Sequence, residues 1–449
     1  RRWAPPLSGS LLLFSNGRCE FRFCKGSTAV SQNWIVSIEM HTLPGGGRGT
    51  TRAGRAVQAP CRAQLEAARR LGYLTAVVVS ERESYGSQYD DVVDAWLITN
   101  TQDAATIVHV LKSLHGEITS VYNSVDSFVR IAAEVAAKLQ LRGPDPLGAG
   151  IARDKATARA ALAEAGVPDI RWGVKSALDE DLNSPIGYPC VVKPVDGAAS
   201  WDVALVRDEQ AVRELAARHL GRAYGRRVQP QRRLLFEEVL EGPLLSAEGF
   251  VDESGVKIIG YSDRVMSAPP HFVELAVRFS TECPFPEADA YVATTLRALD
   301  YDFGAFHLEF ILTTDGPRLV ELNPRLVGAG VQHAMSHVMA APPAALLISG
   351  IIGGGMPVPD ITGAVTELYL TAPATGVLRE ARGLEAAVAS DGCQGAGLYV
   401  ALGDDVSSEI ESNSQYIGYV HAVGETREDS YDKALEAAGR IDYVIDGVR

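Results

Sequence analysis

The chain has 449 residues with a net charge of −14, and its hydrophobic and charged fractions of 46% and 22% are those of a soluble globular protein. Its length exceeds what one core usually serves, so roughly two to four domains are expected. The acidic balance argues against nucleic-acid and acidic-membrane partners, which require a dense basic face. Residues 1–70 do hold eleven Lys and Arg against three Glu, but these are loosely scattered and read as solvated. Six cysteines show no C-x-x-C pairing or metal spacing, which suits unpaired thiols in a reducing cytoplasm. No apolar run is long enough to span a membrane or to form a signal core.

In chain order, residues 1–32 read as an N-terminal extension in which LLLFSNGRCEFRF can form a small hairpin through Asn16 and Gly17. From Asn33 the strand WIVSIEM, the Gly-rich LPGGGRGTTRAG, the helix CRAQLEAARRLG and the strand YLTAVVVS follow, then a helix near 104–114 and the strand ITSVYNS. Alternating strands and helices predict a parallel α/β domain over 33–142. GGGRGT lacks the Gly-Lys-Ser/Thr ending of a P-loop and the full dinucleotide-binding spacing, so it reads as a mobile loop beside an active site. GPDPLG reads as a linker into a central part spanning 151–352, and the breaker before residue 360 opens a smaller α+β domain over 360–449.

The central part carries the densest chemistry. In FHLEF, alternation puts His307 and Glu309 on one face of a strand and Phe306, Leu308 and Phe310 on the other. After the turn TTDGP, RLVELN repeats the arrangement, with Glu321 and Asn323 on one face and Val320 and Leu322 opposite. Two carboxylates and an amide oxygen are hard ligands suited to Mg²⁺ shared with substrate phosphates. A solvated face is the bland alternative, but the flanking residues are too apolar for an exposed hairpin, and acids among them need a partner. Arg325 follows, a guanidinium able to grip phosphate bidentately.

Lys193 ends the apolar strand of YPCVVKPVDGAAS, where a point charge suits phosphate, and the small residues after it leave Ser200 able to donate. Glu274 and Arg278 in HFVELAVR could grip a substrate ammonium and carboxylate, or lie on the surface. Gly328, Ala329 and Gly330 permit close backbone approach and a wide acceptor pocket. His333 and His337 lie one helical turn apart, and without a third ligand helix packing is the better reading.

H-x-E followed by E-x-N-x-R, from His307 to Arg325, resembles the last core motif of the ATP-grasp superfamily. ARDKATARAALAEAG resembles the helix start that bears its first ATP-contacting lysine, implying that role for Lys155, and Lys193 corresponds to the second lysine. RLLFEEVLEG resembles the hinge between subdomains, which implies adenine recognition by Glu237 or by the backbone of Glu238 and Leu240. Leu244 stands where relatives often hold ribose with a glutamate, and Glu241 is the available substitute. The C-terminal order ending in GYVHAVGETREDSYDKALEAA resembles the L-amino-acid ligases, over roughly residues 33–445. The resemblance implies an ATP-grasp fold with a pre-ATP-grasp α/β domain, ATP and Mg²⁺ as cofactors, and metal ligands Glu309, Glu321 and Asn323. It implies phosphoryl stabilisation by Lys155, Lys193 and Arg325. His307, on the face of Glu309, is read either as orienting a phosphate or ligand or as a packed, hydrogen-bonded histidine, and Glu274, Arg278, Arg325 and Gly328 are the candidates near substrate.

The activity implied is ATP-dependent amide formation between an amino acid and a second amino acid or peptide through an acyl phosphate, as in peptide-antibiotic pathways. Its partners would be small molecules, and a homodimer is the family expectation. A cyclo-ligase, a carboxylase-like enzyme or a non-catalytic ATP-binding protein are the alternatives; intact charges argue against the last, and no Met-Lys biotinylation motif occurs.

Overall fold

The computed structural model describes backbone strands Leu13–Ser15 and Arg18–Glu20 and residues 32–40, 61–82, 85, 89–198, 201–221, 231–269 and 271–447. The first two strands pair antiparallel as the hairpin reading expects. The GGGRGT loop and Ser200 lie outside the described residues.

Four parallel strands form the first sheet, in the order Ala95–Ile98, Leu74–Val79, Asn33–Ile38, Glu117–Tyr122. The central two are continuous apolar runs, as a sheet covered on both faces requires. The edge strand Ala95–Ile98 is half-buried and escaped the sequence reading because AWLI is short and does not alternate. GPDPLG is not a linker: Asp145 caps the helix Pro146–Arg153 through the Leu147 amide, and Pro146 occupies the first turn, where its missing N–H costs nothing. Asp154 then caps the helix Lys155–Glu164 through the Thr157 amide, which fixes where Lys155 emerges.

A four-stranded antiparallel sheet follows, ordered Trp172–Ser176, Arg233–Glu238, Cys190–Pro194, Ala204–Val206. Facing it is an eight-stranded antiparallel sheet that begins with Gly316–Asn323, Gly304–Thr313, Leu244–Asp252, Gly255–Met266 and Glu274–Ser280. The sheet continues without a break into Ala364–Leu370, Gly418–Gly424 and Cys393–Leu398. The expected break near residue 360 is therefore a turn in the chain and not an interruption of hydrogen bonding. Phe306, Leu308 and Phe310 are all but fully buried on one face of this sheet, against Val292, Leu296 and Leu299. Closing them off from water on that side leaves the alternate, polar positions facing a cavity.

Candidate functional site

One cavity of about 980 Å³ runs between the two antiparallel sheets and beside the parallel one. The hairpin forms its floor. In register, Glu309 stands directly opposite Glu321 and Ser246, and His307 opposite Asn323 and Glu248, so three strands present two polar rows on one face. Like charges placed directly across a ladder repel, so Glu309 and Glu321 require cations. Lys155 Nζ lies 2.6 Å from Glu321 Oε2, and the Asn323 amide donates to Glu321 Oε1 at 2.9 Å. Burial raises the Glu321 carboxyl, but Lys155, Asn323 and Lys193 outweigh it and hold the group well below its usual range.

His307 lies between two acids, with Nδ1 at 2.9 Å from Glu248 and Nε2 at 3.0 Å from Glu309. Burial lowers its basicity, but Glu248 and Glu309 overcome this and push its pKa up to about 10. It is thus an imidazolium that fixes Glu309, a positioning role. Arg264 is a second cation here that the sequence reading passed over. Nearly fully buried, it bonds Glu274 through Nε at 2.5 Å and lies 3.6 Å from Glu309, while its Nη1 is buried without a hydrogen-bond partner.

A β-bulge corrects one expectation. Phe310 pairs with Leu319, not with Val320, so Leu319 and Leu322 enter the core while Val320 is partly exposed and lines the cavity. Its carbonyl accepts from Lys193 at 3.4 Å and from Arg159 at 3.5 Å.

Lys193 and Lys155 converge on this end of the cavity. Lys193 pairs with Glu237 at 2.7 Å, and burial together with nearby Arg159 and Lys155 lowers its pKa. Lys155 also donates to the Gly197 carbonyl at 2.9 Å, holding the loop that Arg153 grips through the Asp196 carbonyl. Glu237 is fully occupied by protein cations: Oε1 accepts twice from Arg159, at 2.9 and 2.7 Å, and Oε2 meets Lys193. Burial raises its pKa, but Arg159 and Lys193 win and keep it ionised. Its side chain is thus an anchor for Lys193, with both oxygens already taken by protein cations. Glu238 is tied to Arg171 through both its side chain and its amide and lines the cavity with Leu240 and Leu244, whereas Glu241 does not.

Arg325 also departs from expectation. Nε and Nη2 form a bidentate pair with Asp126 at 2.6 and 2.8 Å, and Nη1 donates to the Leu326 carbonyl. It lines the cavity but must exchange Asp126 before it can grip a phosphate in the same way. Arg278 lies outside the cavity lining, held by Asp263, its direct cross-strand neighbour, at 2.6 and 2.9 Å. Glu274 does line the cavity, as does Gly328, around whose Cα a methyl group would meet nothing within 4 Å. Glu367, Tyr369, Tyr399 and Tyr416 also line the cavity, none of which the sequence reading singled out.

Residues 186–333 match the ATP-grasp domain family, and residues 368–446 match the family described as L-amino acid ligase C-terminal domain 2. The fold resembles the L-amino acid ligase from Bacillus licheniformis, with a TM-score of 0.73 at 16% identity over 94% of this chain and 100% of that one. It also resembles the N5-carboxyaminoimidazole ribonucleotide synthetase from Thermotoga maritima, with a TM-score of 0.63 at 17% identity over 92% and 99% of the two chains. By sequence, the chain is 28% identical over 394 residues to the uncharacterized protein y4rH of Sinorhizobium fredii, spanning 86% of this chain and 80% of that protein. Residues 186–333 are thus an ATP-grasp domain, and the fold around the acid-bearing hairpin is that of ATP-grasp proteins. The C-terminal match narrows the likeness to the L-amino-acid ligases.

Proposed function

We propose that this ligase joins the carboxyl group of an amino acid to the amine of a second amino acid or short peptide through an acyl phosphate, releasing ADP and orthophosphate. The observation that carries the reading is the continuity of one cavity across three groups of residues. The same cavity is lined by Lys155, Lys193 and Leu240, by Glu309, Glu321 and Asn323, and by Arg264, Glu274 and Glu367. A volume near 980 Å³ stands at the top of the range for small-molecule sites, room for a nucleotide and an amino acid together.

Two carboxylates and an amide oxygen on one hairpin face fit a hard divalent cation, and among the described residues the acids are now balanced by Lys155, Arg264 and His307. Mg²⁺ held by Glu309, Glu321 and Asn323 would neutralise phosphate oxygens as charge is transferred. Lys155, released from Glu321 by that cation, is then free to meet phosphate, and Lys193 stays fixed by Glu237. Arg264 takes the carboxylate-gripping role expected of Arg278, because its Nη1 donor is buried and unsatisfied. Glu274, fixed by Arg264, keeps acceptor capacity for a substrate ammonium. The residues act by positioning, so no nucleophilic side chain is required.

The test is to incubate the enzyme with ATP, Mg²⁺ and pooled amino acids and short peptides, measuring released phosphate and the mass of any product. Orthophosphate with a product lighter by one water than its two substrates supports the reading. Pyrophosphate release indicates adenylation and overturns it.

A further inference from the structure

His333 and His337 do have a third imidazole beside them. His421, from the strand Gly418–Gly424, lies against the helix Ala329–Met335 and the turn after it, so that one ligand nitrogen of each of the three falls within 4.8 Å of the others. His333 Nδ1 and His421 Nδ1 are 3.3 Å apart. That equals the ligand–ligand edge of a tetrahedral site with metal–nitrogen distances of about 2.0 Å, which is about 3.3 Å. His421 Nε2 points the other way, to Glu367 Oε1 at 3.6 Å, the arrangement in which a carboxylate orients a metal-bound histidine. His337 Nε2 and His421 Nε2 are buried without hydrogen-bond partners, a cost that helix packing alone does not explain.

We propose that His333, His337 and His421 bind a first-row transition cation of the Zn²⁺ class, with Glu367 as the carboxylate behind His421. Imidazole selects such metals over Mg²⁺, which takes oxygen ligands, so this site is distinct in chemistry from the hairpin acids. Burial lowers all three histidines, to about 4 for His337, so they are neutral ligands at neutral pH with no proton to displace. His333 and Glu367 line the cavity wall. The cation ties the segment bearing Gly328 and Gly330 to the C-terminal strands and so sets the shape of the substrate end. The tyrosines Tyr369 and Tyr399 donate to Glu367 and hold it in place for this role.

The experiment uses the full chain, stripped with EDTA and without ATP. Co²⁺ is titrated while its visible absorption is recorded, and Zn²⁺ is then added to displace it. One equivalent of Co²⁺ with intense tetrahedral bands is expected, displaced by Zn²⁺, and accompanied by a rise in melting temperature. His333→Gln and His337→Gln, each first checked to melt like the stripped wild type, are expected to lose the bands and the rise. Glu321→Ala is expected to keep both, which separates this site from the hairpin acids. Uptake equal in wild type and both histidine variants overturns the proposal. So does the absence of stoichiometric uptake by folded wild type.

Discussion

Arg159 is nearly fully buried at 2% side-chain exposure and serves two acids, Glu237 through Nε and Nη2 and Asp169 through Nη1 at 2.8 Å. Replacing it by Met preserves most of the volume and removes the charge. Glu237 retains Lys193, but Asp169 loses its cation, and its Oδ2 already lacks a hydrogen-bond partner. Breaking a buried pair from one side typically costs about 3–5 kcal/mol because a charge is left uncompensated, and here two acids are affected, so Arg159→Met belongs in the upper half of that range. Adding Asp169→Asn removes the worse of the two orphans and should recover about 1–2 kcal/mol, since the pair is coupled. Urea unfolding, followed by two probes to establish a single transition, measures both. A loss below about 1 kcal/mol for Arg159→Met, the value of a solvent-screened pair, refutes the assignment of this arginine as the buried cation shared by Glu237 and Asp169.

Glu321→Ala should lower Mg²⁺-dependent turnover by on the order of 10²–10³-fold or more while the fold persists, read by steady-state kinetics beside a thermal melt. Retained activity would remove the hairpin acids from the metal site. Gly330→Ala would put a Cβ 2.0 Å from Glu367 Oε1, so it should cost about 1–3 kcal/mol and raise the KM for the amino acid more than that for ATP. Equal changes in both KM values would place Gly330 outside the substrate end. Buried Glu39 has its pKa pushed up from 4.5 to about 7 by burial, against hydrogen bonds from Ser37 and Ser124. The folded state therefore holds this proton more tightly than the unfolded one, and stability is full below pH 4.5 and declines as pH rises to about 7. The decline from this group should be about 3 kcal/mol and should vanish in Glu39→Gln, leaving the same-signed contribution of Glu367. Denaturant unfolding at several pH values checks it, and an unchanged pH profile in the variant refutes it.

The acids of the hairpin were legible because strand alternation is local: His307 and Glu309, then Glu321 and Asn323, read off the period of two. Lys155 and Lys193 were legible as a helix start and a strand end. What the chain hides is pairing between distant segments. Asp126 meets Arg325 from 199 residues away, Glu248 meets His307 from 59, and Arg159 meets Glu237 from 78. Each of these contacts converts an expected ligand-binding group into one held by the protein, and no periodicity reports it. Arg278 was misplaced for the same reason, since Asp263 became its partner only through strand register. Val320 moved because a bulge shifts alternation by one residue, and such a shift leaves little trace in a short apolar run. The pairing of His333 with His421 spans 88 residues, so the sequence could show the two helical histidines but not the third.

The most direct measurement of the central claim follows oxygen. An amino acid carrying ¹⁸O in its carboxyl group is incubated with enzyme, ATP, Mg²⁺ and the acceptor amine, and the released phosphate is weighed by mass spectrometry. Attack of the carboxylate on the γ-phosphorus predicts one ¹⁸O atom in orthophosphate for each amide bond formed. Label found in AMP would contradict the account, and so would orthophosphate released without label as the amide forms.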